Sequence, residues 1–454
     1  MGKVGLSAGS NAGERAEADK KLRKSVPRSS HAGWDPPSGR RDPISILEAQ
    51  ETTRVQELVP IRHARMMVSP FTFYRGTAAV MAADLATTPS SGLNVQSCGD
   101  AHLSNFGLYA SPERNLVFDL NDFDETLPAP FEWDLKRLVT SITICARAND
   151  HSKAKADEAA RATAASYRHW IRRFASERYL DVWYTRVDFE ALLPLIESDK
   201  HRKRARKGAA KAKSKTSIQA MEKLTAPGPD GHPVIVDDPP LIVHQRGPGI
   251  QNDIREGLED YLSTVPEARQ TLLRRYRMVD GARKVVGVGS VGTACGILLL
   301  MGDRDDDPLF LQIKEAAPSV LEPYTAPSRH SHQGERVVYG QRLMQATSDL
   351  FLGWVTVRGR DSYVRQLRDM KGSAKLDKLK PKQLTGYGAM CAVTLARAHA
   401  RSGDAVAIGS YLGKGEVFDG AMVDFANDYA DQAKLDYQAL VDAVASGRME
   451  ARDA

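Results

Sequence analysis

The stretch at 98–137, CGDAHLSNFGLYASPERNLVFDLNDFDETLPAPFEWDLKR, constrains this chain more than any other. It sets Asp100, His102, Asn105, Asp119, Asp122, Asp124, Glu125 and Asp134 between short apolar runs. Carboxylates at that density repel one another and resist burial, so the fold must offer them either solvent or a cation. Asp100 and Asn105 stand five positions apart, and the apolar run at 116–118 delivers Asp119 at its end. A base, a metal-binding amide and a metal-binding carboxylate can therefore meet at one place.

A second block lies at 284–316, KVVGVGSVGTACGILLLMGDRDDDPLFLQIKEA, and reads as two or three strands in succession. Gly287, Gly289 and Gly292 form a GxGxxG, a weak signal alone, and its dinucleotide-binding version needs a helix directly after the glycines. Here a strand follows. The pattern suits a β-hairpin lid whose backbone amides, with Ser290 among them, cover phosphates while Lys314 reaches them from the third strand. An ordinary Gly-rich hairpin with a solvent-facing lysine is the plainer alternative. Glu335, 21 residues beyond Lys314, opens the helical pattern GERVVYGQRLMQATSD and is placed to pair with that lysine. Glu315 and Glu322 are alternative partners, and simple exposure is the bland role for Glu335.

Charge matters here by location. The net +6 arises because 200–215 holds nine Lys and Arg with no acid, and 1–45 holds nine against five acids. Together these stretches carry +13, which leaves the rest of the chain at −7. The folded body is acidic, so nucleic acid is not the expected partner, and the basic run reads as a solvated, flexible insertion with weak polyanion contact as the lesser role. Residues 1–45 lack apolar periodicity and read as a disordered basic tail. A helical lobe is expected over 46–280, with helices at 44–67 and 73–86, a small β-rich lobe over 281–370, and C-terminal helices over 371–454 that complete the helical lobe. Arg75 and Gly76 on the second of these helices can reach the acidic cluster, although a surface salt bridge is the favoured role there. No apolar run approaches the roughly 20 residues of a membrane span. The N-terminus has no signal-peptide core and the four cysteines form no CxxC pair, so a cytoplasmic protein without membrane contact is expected.

The earlier block resembles the catalytic segment of the protein-kinase-like superfamily, in its aminoglycoside and choline kinase branch. GDAHLSN is similar to GDLHPGN, VFDLNDFDE stands where IDF should, and WDLKR stands for YDLA. The resemblance implies Asp100 as catalytic base, Asn105 and Asp119 as magnesium ligands, and Asp134 as the helix-start acid that braces the catalytic loop. Cys98 replaces the usual His before Gly99. Three acids within six positions leave Asp119, Asp122 and Asp124 all open as metal ligands, although the 14-residue spacing from Asn105 favours Asp119. Because the Gly-rich hairpin and its lysine follow the catalytic block, the implied fold is α+β, a circularly permuted protein-kinase-like bilobal fold with a small antiparallel β lobe and a larger helical lobe. The LARAHARSGD helix would then end near 93–100. A direct-order alternative makes HARSGD the catalytic loop and VDFANDYAD the metal loop, but Gly409 stands where an Asn is needed. SPFTFYRG, CGDAHLSNFG, VFDLNDFDE, FEWDLKRL and YADQ also resemble a bacterial family known only as domain of unknown function 2252.

The expected function is an ATP-dependent, magnesium-requiring kinase-like phosphotransferase acting on an unidentified, small-molecule hydroxyl acceptor. A nucleotidyltransferase or a nucleotide-binding regulator would use the same parts. A metal-dependent phosphoesterase is suggested by the Asp100-Ala-His102 pair, though the Asn-His pair such sites add is missing.

Overall fold

Helical and extended segments alternate in a mixed α+β arrangement, and the computed structural model describes residue 13 and residues 21–193, 199–228, 231–244, 250–285, 287–367 and 369–453. The first helices are α1 (Pro43–Glu51), α2 (Val59–Met67), α3 (Pro70–Arg75) and α4 (Ala78–Leu85). Both helices expected as continuous are therefore broken. Pro60 restarts the first at α2, and Gly76 caps α3 by donating its N–H to Phe73. Strand β1 (Asn94–Ser97) pairs with β4 (Leu127–Pro130), and between them lies the hairpin of β2 (Phe106–Ala110) and β3 (Leu116–Leu120).

Helix α5 (Phe131–Ala148) follows at once, and every residue from Phe131 to Ala146 is buried. Beyond it run α6 (Lys153–Phe174), α7 (Tyr179–Tyr184), α8 (Phe189–Leu192), α9 (Asp199–Lys213) and α10 (Ser217–Leu224), then β5 (Thr225–Pro227), β6 (Pro233–Ile235) and β7 (Ile242–Val243). The expected flexible insertion is thus the helix α9. Ala209 and Ala212 bury against Leu116 and Phe189, while Lys203, Arg204, Arg206, Lys207, Lys211 and Lys213 face solvent.

Helices α11 (Ile250–Thr264) and α12 (Glu267–Leu273) lead into β8 (Arg277–Lys284), β9 (Cys295–Met301) and β10 (Pro308–Glu315). After α13 (Gln333–Met344) come β11 (Gly353–Val357) and β12 (Arg360–Gln366), and α14 (Pro381–Ser402), α15 (Ala405–Leu412) and α16 (Val417–Ala445) close the chain. An antiparallel sheet runs in the order β11-β12-β10-β9-β8-β7. It begins well before residue 281, the expected start of the small lobe. Leu298, Leu300, Leu309 and Leu311 pack on Tyr261 and Leu262 of α11, while Ile297, Leu299, Met301 and Phe310 pack on Ala220 and Leu224 of α10. Burial of both faces explains why ILLLM and PLFLQI read as unbroken apolar runs.

The helical body is built on α5, with α6, α14 and α16 against it. Alanines 156, 159, 160 and 164 of α6 and 392 and 396 of α14 let these helices approach closely, and Phe131 stacks on Tyr167 with ring centroids 6.0 Å apart. Residues 21–45, expected as tail, instead pack on this body. His31 Nε2 lies 2.8 Å from Tyr411 Oη, Trp34 is buried, and Arg40 bonds both Asp84 and Asp436. The remainder of the expected tail, 1–12 and 14–20, lies outside the described residues, as do Val286 and 245–249. All four cysteines are buried and free. Among the described residues no helix is long and apolar enough to cross a membrane.

Candidate functional site

The acidic segment is held by its own next helix. Asp134, in the first turn of α5, accepts the backbone N–H groups of Cys98 at 2.8 Å and Gly99 at 3.0 Å, and its other neighbour is His399 Nε2 at 3.2 Å. Burial pushes this carboxyl upward, but the hydrogen bonds from His399 and the backbone outweigh it and hold the group below the usual range. Gly99 sits at φ +77°, where a Cβ would lie 2.4 Å from the Glu125 carbonyl oxygen. Only glycine fits there, and it turns Asp100 into the cavity.

Asp100 Oδ1 accepts from Arg137 Nε at 2.7 Å. Burial raises the Asp100 carboxyl, and Arg137 opposes that rise. His102 Nδ1 accepts from the Ser104 N–H at 3.2 Å, so the ring proton sits on Nε2, which lies 3.5 Å from Asp100 Oδ2. Burial, with Arg75 and Arg137 nearby, keeps that imidazole neutral. Asn105 donates its Nδ2–H to the Asp100 carbonyl at 2.8 Å.

Asp119 is elsewhere. It lies on β3 opposite Gly107, fully buried, and accepts from Arg397 Nη2 at 2.7 Å and the Ala346 N–H at 2.8 Å. The strand's pleat turns this carboxylate toward α14, away from the cavity, so it is not placed with Asn105 as a metal ligand. Asp122 and Asp124, beyond the end of the strand, do face the cavity. Lys314, at the end of β10, pairs with Asp124 and lies 4.0 Å from Asp122 Oδ1, while Tyr363 Oη donates to Asp124 at 2.8 Å. Burial would raise Asp124, yet Lys314 and Tyr363 keep it below the usual range; Asp122, with less direct support, is raised by burial and by Asp124. Burial alone would lower Lys314, but the two aspartates drive it up. Glu125 accepts the Val320 N–H at 2.8 Å, and burial pushes it up to about 7.

The expected partner of Lys314 is also corrected. Glu335 contacts His330 at 3.4 Å and is 37% exposed. Its neighbour Arg336 is the inward group, bonding the carbonyls of Asp124, Thr126 and Ala317. One helical position separates them, and it decides which side chain faces the core.

The glycine-rich loop joins β8 to β9 and rests on the N-terminal helices. Gly289 approaches the Arg75 carbonyl so closely that a Cβ would lie 3.1 Å from it; Arg54 Nη1 donates to Val291 and Arg65 Nη1 to Gly287. Gly287, Gly289 and Ser290 line the cavity, whereas Gly292 packs beneath the Arg54 side chain and offers its carbonyl to the Val55 N–H at 2.8 Å. The cavity measures about 460 Å³ and brings this loop together with Asp100, Asn105, Asp122 and Asp124. His102 lines it as well, and Asp134 stands behind it.

Arg137 and Arg397 are two groups here that the motifs do not mark. Arg137, three positions after Asp134 on α5, shares its helix face and so reaches the same loop. Arg397 sits in the apolar LARAHARS pattern, and a buried arginine there signals a buried acid somewhere else in the chain. The direct-order alternative fails, because Asp404 caps α15 and VDFANDYAD lies inside the continuous helix α16.

Among the described residues no group of three or more His, Cys, Asp or Glu is arranged to hold a metal ion. Asn105 and Asp122 are among the oxygen donors that line the cavity, and an amide with one or two carboxylates is a donor set within the range that magnesium accepts. A family model described as an uncharacterized protein conserved in bacteria (DUF2252) matches residues 54–443. No curated protein and no solved structure matches the chain.

Proposed function

The chain belongs to the DUF2252 family of bacterial proteins, and we propose that it is an ATP-dependent, kinase-like phosphotransferase that acts on an acceptor hydroxyl. One observation carries this reading. Lys314, on the second strand after the glycine-rich loop and 2% exposed, pairs with Asp124 and lies near Asp122, both of which line the cavity that also holds Asp100 and Asn105, although 190 residues separate Lys314 from Asp124. Phosphoryl transfer depends on gathering these parts, because the protein's work is to position the nucleotide and neutralise its phosphate charge.

Lys314 and the backbone of the hairpin loop would bind the nucleotide phosphates. Asp122 and Asn105 would hold magnesium, which when bound neutralises charge on the β- and γ-phosphates. Asp100 orients the acceptor hydroxyl and takes its proton as the acceptor oxygen forms a bond to the γ-phosphorus. The bond from that phosphorus to the bridging oxygen breaks, and ADP departs. Arg137 fixes the Asp100 carboxylate by its 2.7 Å hydrogen bond, while burial raises its proton affinity toward that of a working base.

The chain order of this reading is a circular permutation, with the small sheet inserted between two parts of the helical lobe. Its support is the end of α14, where Ser402 Oγ accepts the Gln96 N–H at 3.2 Å and His399 meets Asp134. That helix therefore runs into the acidic loop although its sequence lies far beyond it.

A thermal melt with MgATP, ATP alone and magnesium alone tests the reading. MgATP at 100 times its dissociation constant should add roughly 2.7 kcal/mol of stability, more than either component alone. The Asp100→Asn variant should keep that shift and lose transfer of label from γ-labelled ATP to a small-molecule extract. Label moving from α-labelled ATP would instead mark nucleotidyl transfer, and no shift at millimolar MgATP would sink the proposal.

A further inference from the structure

The cavity has two chemically unlike walls. Three of the acids on one side carry their own cations: Asp100 has Arg137, Asp124 has Lys314, and Glu315 has Arg360. The other wall comes from the N-terminal helices and contributes Arg41, Arg54 and Arg75. Arg54 spends one N–H on the Val291 carbonyl at 2.6 Å, yet its Nε is buried without a hydrogen-bond partner among the described residues. Arg75, the last residue of α3, also has a buried Nε without a partner among them. It feels Asp100 and Asp122 as neighbouring charges. Burial lowers the basicity of both guanidinium groups despite the acids around them. Acids stand near both, but among the described residues neither guanidinium has a carboxylate in direct contact, so each is a partly buried cation without a bonded counter-ion.

A guanidinium with donors unspent at a cavity wall is suited to an oxyanion, which its planar fork binds through paired N–H groups. The nucleotide phosphates already have Lys314 and the loop amides on the sheet side. Arg75 stands by Asp100, where the acceptor hydroxyl must come. Resting on the phosphotransferase reading, we infer that the acceptor carries an oxyanionic group, a phosphate ester or a carboxylate, seated between Arg54 and Arg75 so that its hydroxyl lies at Asp100. Arg41, exposed on the same wall, adds charge at the approach.

The test is calorimetric titration of inorganic phosphate, and separately of acetate, into the full chain saturated with magnesium and the non-hydrolysable analogue adenylyl imidodiphosphate. The analogue fills the γ-phosphate position, so any anion that binds must use another subsite. Arg75→Gln and Arg54→Gln should each weaken the anion about tenfold or more, equal to about 1.4 kcal/mol; Arg75→Gln should leave the affinity of the analogue within about twofold, whereas Arg54, which also holds the glycine-rich loop at Val291, is read on the anion alone. Arg75→Lys, which keeps the charge and most of the volume, should recover part of the loss and shows that the effect is not misfolding. Tighter binding of phosphate identifies a phosphate ester, and tighter binding of acetate a carboxylate. The inference is overturned if neither anion binds the loaded protein, or if Arg75→Gln weakens the analogue as much as the anion. Failure of the analogue itself to bind is a separate result, and it removes both the phosphotransferase reading and the acceptor site.

Discussion

Asp119 and Asp122 stand three positions apart and do opposite things. Asp119, one residue before its strand ends, forms a buried pair with Arg397, both side chains being 1% exposed, whereas Asp122 faces the cavity beside Lys314. Removing one partner of a buried pair leaves the other charge uncompensated, so Asp119→Asn should cost roughly 3–5 kcal/mol in a urea melt. Asp122→Asn should keep or raise stability, since it removes a like charge next to Asp124, and should weaken magnesium-nucleotide binding by about tenfold or more. A stable Asp119→Asn together with an Asp122→Asn that still binds MgATP normally would reverse this assignment. The sequence shows the spacing of both acids from Asn105 but not the turn of the pleat, nor an arginine 278 positions away that claims one of them. Glu335 and Arg336 repeat the lesson on a helix, where a rotation of about 100° per residue exposes one and buries the other.

At the scale of elements, the strand-rich segment was legible because its glycines are followed by two apolar runs of strand length rather than by a helix. β9 and β10 pair there with Lys314 opposite Cys295. The breaks after α1 and α3 carry local marks, Pro60 and Gly76, which the apolar periodicity of each segment masks. The acidic loop, in contrast, is an element whose shape rests on tertiary contact. Gly99 and Gly92 have nearly the same backbone angle, φ +77° and +76°, but a Cβ at Gly92 meets nothing within 4 Å, while one at Gly99 strikes the Glu125 backbone. Gly92→Ala should therefore cost only the left-handed penalty of about 1–2 kcal/mol. Gly99→Ala must also move the backbone that positions Asp100 and Glu125, so its loss should exceed that of Gly92→Ala by about 2 kcal/mol or more, and the MgATP shift should disappear with it. Equal losses from the two substitutions would mean that the loop tolerates displacement and that Gly99 is not what aims Asp100.

For the whole molecule, what matters is which segments meet, and chain order decides that only loosely. In chain order the sheet containing Lys314 lies between the acidic block and the helix that supports it, yet sheet and block meet at one cavity and the helix braces the block from behind at Asp134. The C-terminal residues lie beside 42–60, where Arg448 pairs with Asp42 at 3.0 Å and the Arg452 N–H bonds the Pro60 carbonyl at 3.1 Å, whereas Arg23 lies near the other end of α16, bonded to Tyr411 and Ser410. A linker from residue 453 to residue 21 must run along α16, roughly 43 Å at 1.5 Å per residue, and Gly231, whose Cβ direction is open, marks a place for new termini in the β5–β6 connection. The rearranged chain, 231–453 followed by a Gly/Ser linker of about 60 residues, whose mean reach matches that span, and then 21–230, puts the hairpin and its lysine ahead of the acidic block. If the site is made by juxtaposition, this chain should melt cooperatively and gain the same MgATP stabilisation as the parent to within about 1 kcal/mol. A rearranged chain that folds but has lost the MgATP shift would mean that the native connectivity itself shapes the cavity, and the permuted arrangement would then fail as the explanation of how these two distant blocks form one site.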